Sequence, residues 1–137
     1  MATKRTEIEV RAKVRARVPY DFVLDELDRL KPETRPMFGC TAVYVGEQIV
    51  FALREKAGEK RDNGVWIATT IEHHASLKKD LPSMRSIRVL GDGVTGWQIL
   101  PASGKNFEDE VLLACALVRK KDPRIGKIPA RKKRKKT

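Results

Sequence analysis

Two β-rich runs joined by one short turn set the class of fold open to this chain. Thr41-Ala42-Val43-Tyr44-Val45 and Ile49-Val50-Phe51-Ala52-Leu53 flank Gly46-Glu47, which is the pattern of an antiparallel hairpin. Val65-Trp66-Ile67-Ala68 extends the same sheet by a third strand. Ile87-Arg88-Val89-Leu90 and Gly96-Trp97-Gln98-Ile99-Leu100 lie either side of Gly91-Asp92-Gly93-Val94-Thr95, so a second hairpin with a glycine-rich connection is expected. Lys56 to Gly64 is polar and reads as an exposed loop.

Helices fall between and after these strands. Pro19 suits a first helical turn, and Phe22, Val23, Leu27 and Leu30 follow at helical spacing, with Pro32 as the stop. Thr69 or Thr70 can cap a short helix through Leu77 and Leu81, closed by Pro82. The last helix has the strongest signals. Asn106 can cap it, Glu108, Asp109 and Glu110 fill its first turn, and Arg119, Lys120 and Lys121 fill its last, so both ends suit the helix dipole. Its Phe107, Val111, Ala114, Cys115 and Val118 form an apolar face that Leu112, Leu113 and Leu117 widen. The expectation is an α+β domain: an antiparallel sheet of five or six strands with helices packed mainly on one face.

Charge separates the ends from the middle. The 137 residues carry a formal charge of +11. Residues 119–137 hold eleven bases and one acid, residues 1–18 six bases and two acids, and residues 19–118 twelve bases and fifteen acids. The body is slightly acidic, and a basic-patch argument for nucleic acid applies to the ends alone. Arg131, Lys132, Lys133, Arg134, Lys135 and Lys136 cannot bury their charge and repel one another, so 121–137 reads as a disordered basic tail. Such a tail attracts the phosphate backbone of DNA or RNA without reading sequence. A solubility tail or an import signal has the same composition.

Residues 7–18 alternate strictly, apolar at every even position from Ile8 to Val18 and charged at every odd one. That is a strand period. The segment 1–18 is thus a basic N-terminal arm or edge strand, open to pairing with a second copy as a homodimer. The folded domain spans 19–120.

The longest apolar run, Val111 to Val118, is far short of the ~20 residues of a membrane span, so no membrane association is expected. Met1 to Glu7 lead into charged residues without an apolar stretch. Cys40 and Cys115 are too few for a disulfide scaffold or a four-cysteine zinc site. A reducing, cytoplasmic location fits.

Reactive constellations do not assemble. His73 and His74 are adjacent, and neighbours on a helix point about 100° apart, which suits metal chelation poorly. Gly91 to Gly96 precede a strand and not a helix N-terminus, and Ser103-Gly104-Lys105 lacks the spacing of a phosphate loop. Both read as turns, and no cofactor is expected. Cys40 opens a strand and is the more exposed thiol candidate, whereas Cys115 faces the core. Trp66, Trp97, Tyr44, Phe38 and Phe51 would form a base-stacking platform only on an open sheet face, and core packing is the better reading.

Arg35-Pro36-Met37-Phe38-Gly39, then Val43-Tyr44-Val45, Gly46 and Phe51-Ala52-Leu53, resemble the start of the N-terminal domain of the TfoX (Sxy) competence-regulator family. Val65-Trp66-Ile67 is similar to that family's next strand and the helix from Phe107 to its closing helix. The order of elements is also similar to YjbR-type domains. Cys40 stands where the family usually has a second glycine, and neither residues 7–18 nor the basic tail has a counterpart there.

The resemblance implies a small non-enzymatic domain acting in transcription regulation or as an adaptor for a protein partner, with relatives described as DNA-binding. Met37, Phe38 and Gly39 would then be structural: two apolar anchors and a turn glycine. Two other readings stand beside it. One is a nucleic-acid-associated protein acting through its basic termini, and the other is an enzyme with a pocket that the sequence does not reveal.

Overall fold

A computed structural model describes residues 18–89 and 95–129. Six strands form one antiparallel sheet: β1 (Glu33–Met37), β2 (Cys40–Val45), β3 (Gln48–Arg54), β4 (Gly64–Ile67), β5 (Arg85–Ser86) and β6 (Gln98–Pro101), in the order β1-β2-β3-β4-β6-β5. Among the described residues, three α-helices accompany them: α1 (Phe22–Glu26), α2 (His74–Asp80) and α3 (Phe107–Arg119). Short 3₁₀ turns, Asp28–Leu30 and Ile71–His73, follow α1 and precede α2. The α+β expectation holds, with six strands.

Two hairpin turns set the register. Val45 pairs with Gln48 across Gly46-Glu47, and of the two only Gly46 has positive φ, at 62°, the pattern of a II′ turn. Met37 pairs with Cys40 across Phe38-Gly39, both of which have positive φ (48° and 76°), the pattern of a I′ turn. Strand β1 was not expected from its sequence. It is an edge strand, and the pairing that starts at Met37 and Cys40 turns the missing N–H of Pro36 outward, where proline costs the ladder nothing and blunts the edge.

The pairing of β2 with β3 slips after Val43, leaving Val50 as an extra residue. Such a bulge turns two neighbouring side chains the same way, and Val50 and Phe51 both enter the main core. That core lies on the helical face. Phe51, Leu53, Val65, Ile67 and Leu100 meet Val23 and Leu27 of the α1 region and Val111, Ala114, Cys115 and Val118 of α3. The other face carries a smaller cluster of Cys40, Ala52, Trp66, Ile87 and Ile99, closed by Met37, Val89 and Trp97. Trp97 meets Trp66 edge to face at 5.7 Å. Where β4 begins, only glycine fits: a Cβ on Gly64 would collide with the Leu100 carbonyl.

Several expectations shift. The first helix starts three residues past Pro19, at Phe22, because Tyr20 takes left-handed backbone (φ 53°). Strand β5 is Arg85–Ser86, ahead of the expected Ile87–Leu90, because Ile87 and Val89 are drawn onto the second sheet face. Leu112 and Leu113 are exposed at 37% and 41%, since the core-facing stripe is already filled by Val111, Ala114, Cys115 and Val118. Asn106 precedes α3 without a side-chain cap bond. Glu110 is buried instead, accepting the Ser83 N–H at 3.0 Å and the Ser83 hydroxyl.

The chain after α3, assigned to the tail by its charge, is built into the body as far as it is described. Ile125 is buried, and Lys127 bridges Ile49. Arg124 bonds Asp122, Asp80 at 3.0 Å and Ser76 at 2.9 Å, locking this segment to α2. Residues 1–17, with the expected N-terminal strand and its dimer contact, and the tail run Arg131–Lys136 lie outside the described residues. Among the described residues, no helix is long and apolar enough to cross a membrane.

Candidate functional site

Arg35, Met37, Phe38 and Gly39 lie on the edge strand β1 and the turn that follows it. Arg35 places its guanidinium over the Tyr44 ring, 4.7 Å from the centroid, a cation–π contact. Met37 is half-buried and packs on the second-face cluster, as an anchor should. Gly39 is the turn glycine. Phe38 departs from the expected role of anchor: it is 70% exposed, because the first central residue of the turn projects off the hairpin tip and reaches neither sheet face.

Lys56 completes this tip. Its ammonium lies against Gly39, where any Cβ would collide with it. The loop that carries Lys56 is braced from within. Arg54, itself buried, donates to the Glu59 carbonyl at 2.7 Å and to Asn63 Oδ1 at 2.9 Å. Asn63 also accepts the Lys56 N–H at 2.9 Å and donates to the Lys56 carbonyl at 2.8 Å. Polar composition alone reads this segment as an exposed loop, yet Asp62 within it is wholly buried.

Asp62 is the hinge between this loop and β5. It accepts the backbone N–H groups of Arg88 at 2.5 Å and Val89 at 2.7 Å, and the Arg85 guanidinium at 3.0 Å. Burial pushes its carboxyl up, but these three donors outweigh it and hold the group below the usual carboxylate range.

The thiols are structural. Cys40 is buried, in contrast to the exposed position expected for it, and burial pushes its thiol up against the opposing charges of Arg54 and Lys56. Cys115 is pushed up to about 12 by burial first, with the Glu26 charge adding to it. Neither suits a nucleophile at neutral pH.

The two adjacent histidines lie where the 3₁₀ turn passes into α2. His74 places Nε2 3.2 Å from the Gly96 carbonyl, while His73 ends the preceding turn. Among the described residues, no group of three His, Cys, Asp or Glu side chains could hold a metal ion. Ser103-Gly104-Lys105 forms a turn leading into α3. The aromatics divide between layers, with Phe51 in the helical-side core, Trp66 and Trp97 on the other face, and Phe38 at the tip.

Sequence reasoning missed Lys56, Asn63 and Asp62. Their partners are set by tertiary contact, and the one local signal was a charged loop containing two glycines, Gly58 and Gly64. No protein-family model matches the chain, no curated protein matches it, and no solved structure matches it.

Proposed function

We propose that this chain is a small non-enzymatic regulatory or adaptor domain of the TfoX N-terminal type, which docks a partner through the β1–β2 turn. One observation carries the reading: Phe38 stands 70% exposed in left-handed backbone before Gly39. An Asn-Gly pair is the preferred occupant of a I′ turn. A phenylalanine there strains the backbone and exposes an aromatic ring, and such strain is a mark of functional positions. Aromatic side chains that project from a rigid support are typical anchors of an interface. Lys56, fixed beside Gly39 by the Asn63 brace, adds a cation for an acidic rim on the partner.

The test uses a partner recovered with the full chain, purified, and titrated against wild type and Phe38→Asn. Affinity at least tenfold weaker for the variant, with folding intact, supports docking at the turn. Equal affinity overturns it.

A second reading, non-specific binding of DNA or RNA through the basic termini, is favoured by the eleven bases of residues 119–137. The described part of the C-terminal basic segment lies away from the Phe38 turn. Lys127 pairs with Ile49 at the start of β3, whereas the Phe38 turn lies beside its far end. Removing residues 130–137 should then abolish most binding to generic duplex in a low-salt gel shift, with Phe38→Asn having no effect. Binding that persists after the deletion rules this reading out.

A further inference from the structure

We propose that the cleft between the C-terminal end of α3 and the β2–β3 turn binds a small amphiphilic carboxylate, a reading independent of the docking function above. The cleft encloses about 390 Å³, within the range of small-molecule sites. Its walls are apolar, with Leu30, Val45, Val50, Val118 and Ile125 among them, and its polar groups are Gln48, Lys121 and Asp122.

The charge on offer is positive. Asp122 is already engaged, its two oxygens held by the Arg124 guanidinium at 3.0 and 2.9 Å and one of them also by the Arg124 N–H. Lys121 has no carboxylate partner among the described residues and is exposed. An incoming carboxylate therefore meets one ammonium without a carboxylate partner among the described residues and an exposed amide, Gln48, while an apolar chain is accommodated against Leu30 and Val45, the half-buried residues of the lining.

The backbone holds this lysine at a cost. It is the second residue past α3, after the Lys120 cap, and is in left-handed conformation (φ 60°). Its N–H bonds the Val118 carbonyl at 2.9 Å and the next N–H, of Asp122, bonds that of Leu117 at 3.0 Å. This is a Schellman ending, where glycine is the usual residue. A lysine in its place puts a cation at the mouth of the cleft.

Calorimetric titration of the full chain with sodium decanoate below its micellar concentration tests this, with decanol and decylammonium as matched probes. Saturable one-to-one binding of decanoate is expected, about tenfold weaker for decanol and absent for decylammonium. Lys121→Gly should weaken decanoate binding about tenfold while folding at least as stably as wild type, so the loss cannot be misfolding. Lys121→Arg should retain binding, and Val45→Trp, which fills the mouth, should remove it. The proposal is overturned by absence of saturable binding at millimolar decanoate, by equal affinity for decanol, or by unchanged binding in Lys121→Gly. Preferential binding to anionic phospholipid vesicles, insensitive to Val45→Trp, would overturn it too and mark a membrane contact.

Discussion

Asp62 accepts the backbone N–H of Val89 at 2.7 Å, a bond spanning 27 residues of sequence that ties the loop before β4 to the chain leaving β5. With Arg88 and Arg85 on the same carboxylate, the buried charge is fully compensated. Removing the acceptor leaves two partly buried N–H groups and a guanidinium without it. Asp62→Ala is therefore expected to cost about 3 kcal/mol, measured by urea unfolding. The pH dependence follows from the depressed carboxyl. A folded-state pKa below the unfolded one contributes stability that is present above about pH 4–5 and is lost as pH falls through the folded value. Wild type should lose stability on acidification more steeply than Asp62→Asn. Parallel acid profiles would contradict the assignment.

What the sequence made legible follows the range of the interaction concerned. The Gly46-Glu47 hairpin and the closing helix rest on neighbours within a few residues, and both form, the helix without the expected Asn106 cap and with its last turn ending at Arg119. Strand β1 was hidden because Glu33, Arg35 and Pro36 look like breakers. They are tolerated on an edge whose outward amides need no partner. The burial of Asp62 is decided by Arg88 and Val89, far along the chain, and no local pattern encodes it. Met37, Phe38 and Gly39 were singled out as two apolar anchors and a turn glycine, but the outward course of Phe38 depends on turn type, which composition alone did not fix. The cleft beside Lys121 was invisible for the same reason: its walls come from the 3₁₀ turn after α1, the β2–β3 hairpin, the end of α3 and the segment that follows it.

Cys115 gives an alkaline counterpart. Burial raises its thiol from 9.0 to about 12. A group kept protonated by folding contributes stability that is fully present below about pH 9 and is lost as pH rises towards 12. Wild type should weaken above pH 9 more than Cys115→Ala, whose lower baseline reflects the lost packing. Ellman's reagent should label neither Cys40 nor Cys115 rapidly at pH 8 until denaturant is added. Fast labelling of Cys115 in the folded chain would show that the α3 face is open.

Lys121→Gly isolates backbone strain. The side chain is exposed and lacks an ion pair among the described residues, so its removal costs little. Glycine enters left-handed backbone without penalty, and the exchange should stabilise the fold by about 0.5–1 kcal/mol, or a few degrees in Tm. Lys121→Ala, which keeps the Cβ, should stay near wild type. If glycine destabilises instead, the left-handed ending of α3 is not the state occupied in solution.

Phe38→Asn joins stability to function. The ring is 70% exposed, so little apolar burial is lost, while Asn tolerates positive φ and Asn-Gly is the preferred I′ pair. The variant should be more stable than wild type by about 0.5–1 kcal/mol, read from thermal unfolding. A domain selected for folding alone would gain from that exchange, so a stability rise accompanied by lost partner binding would show the turn to be held strained for recognition. A drop in stability would mean that Phe38 contributes packing which its exposure conceals, and the docking role assigned to the tip would lose its basis.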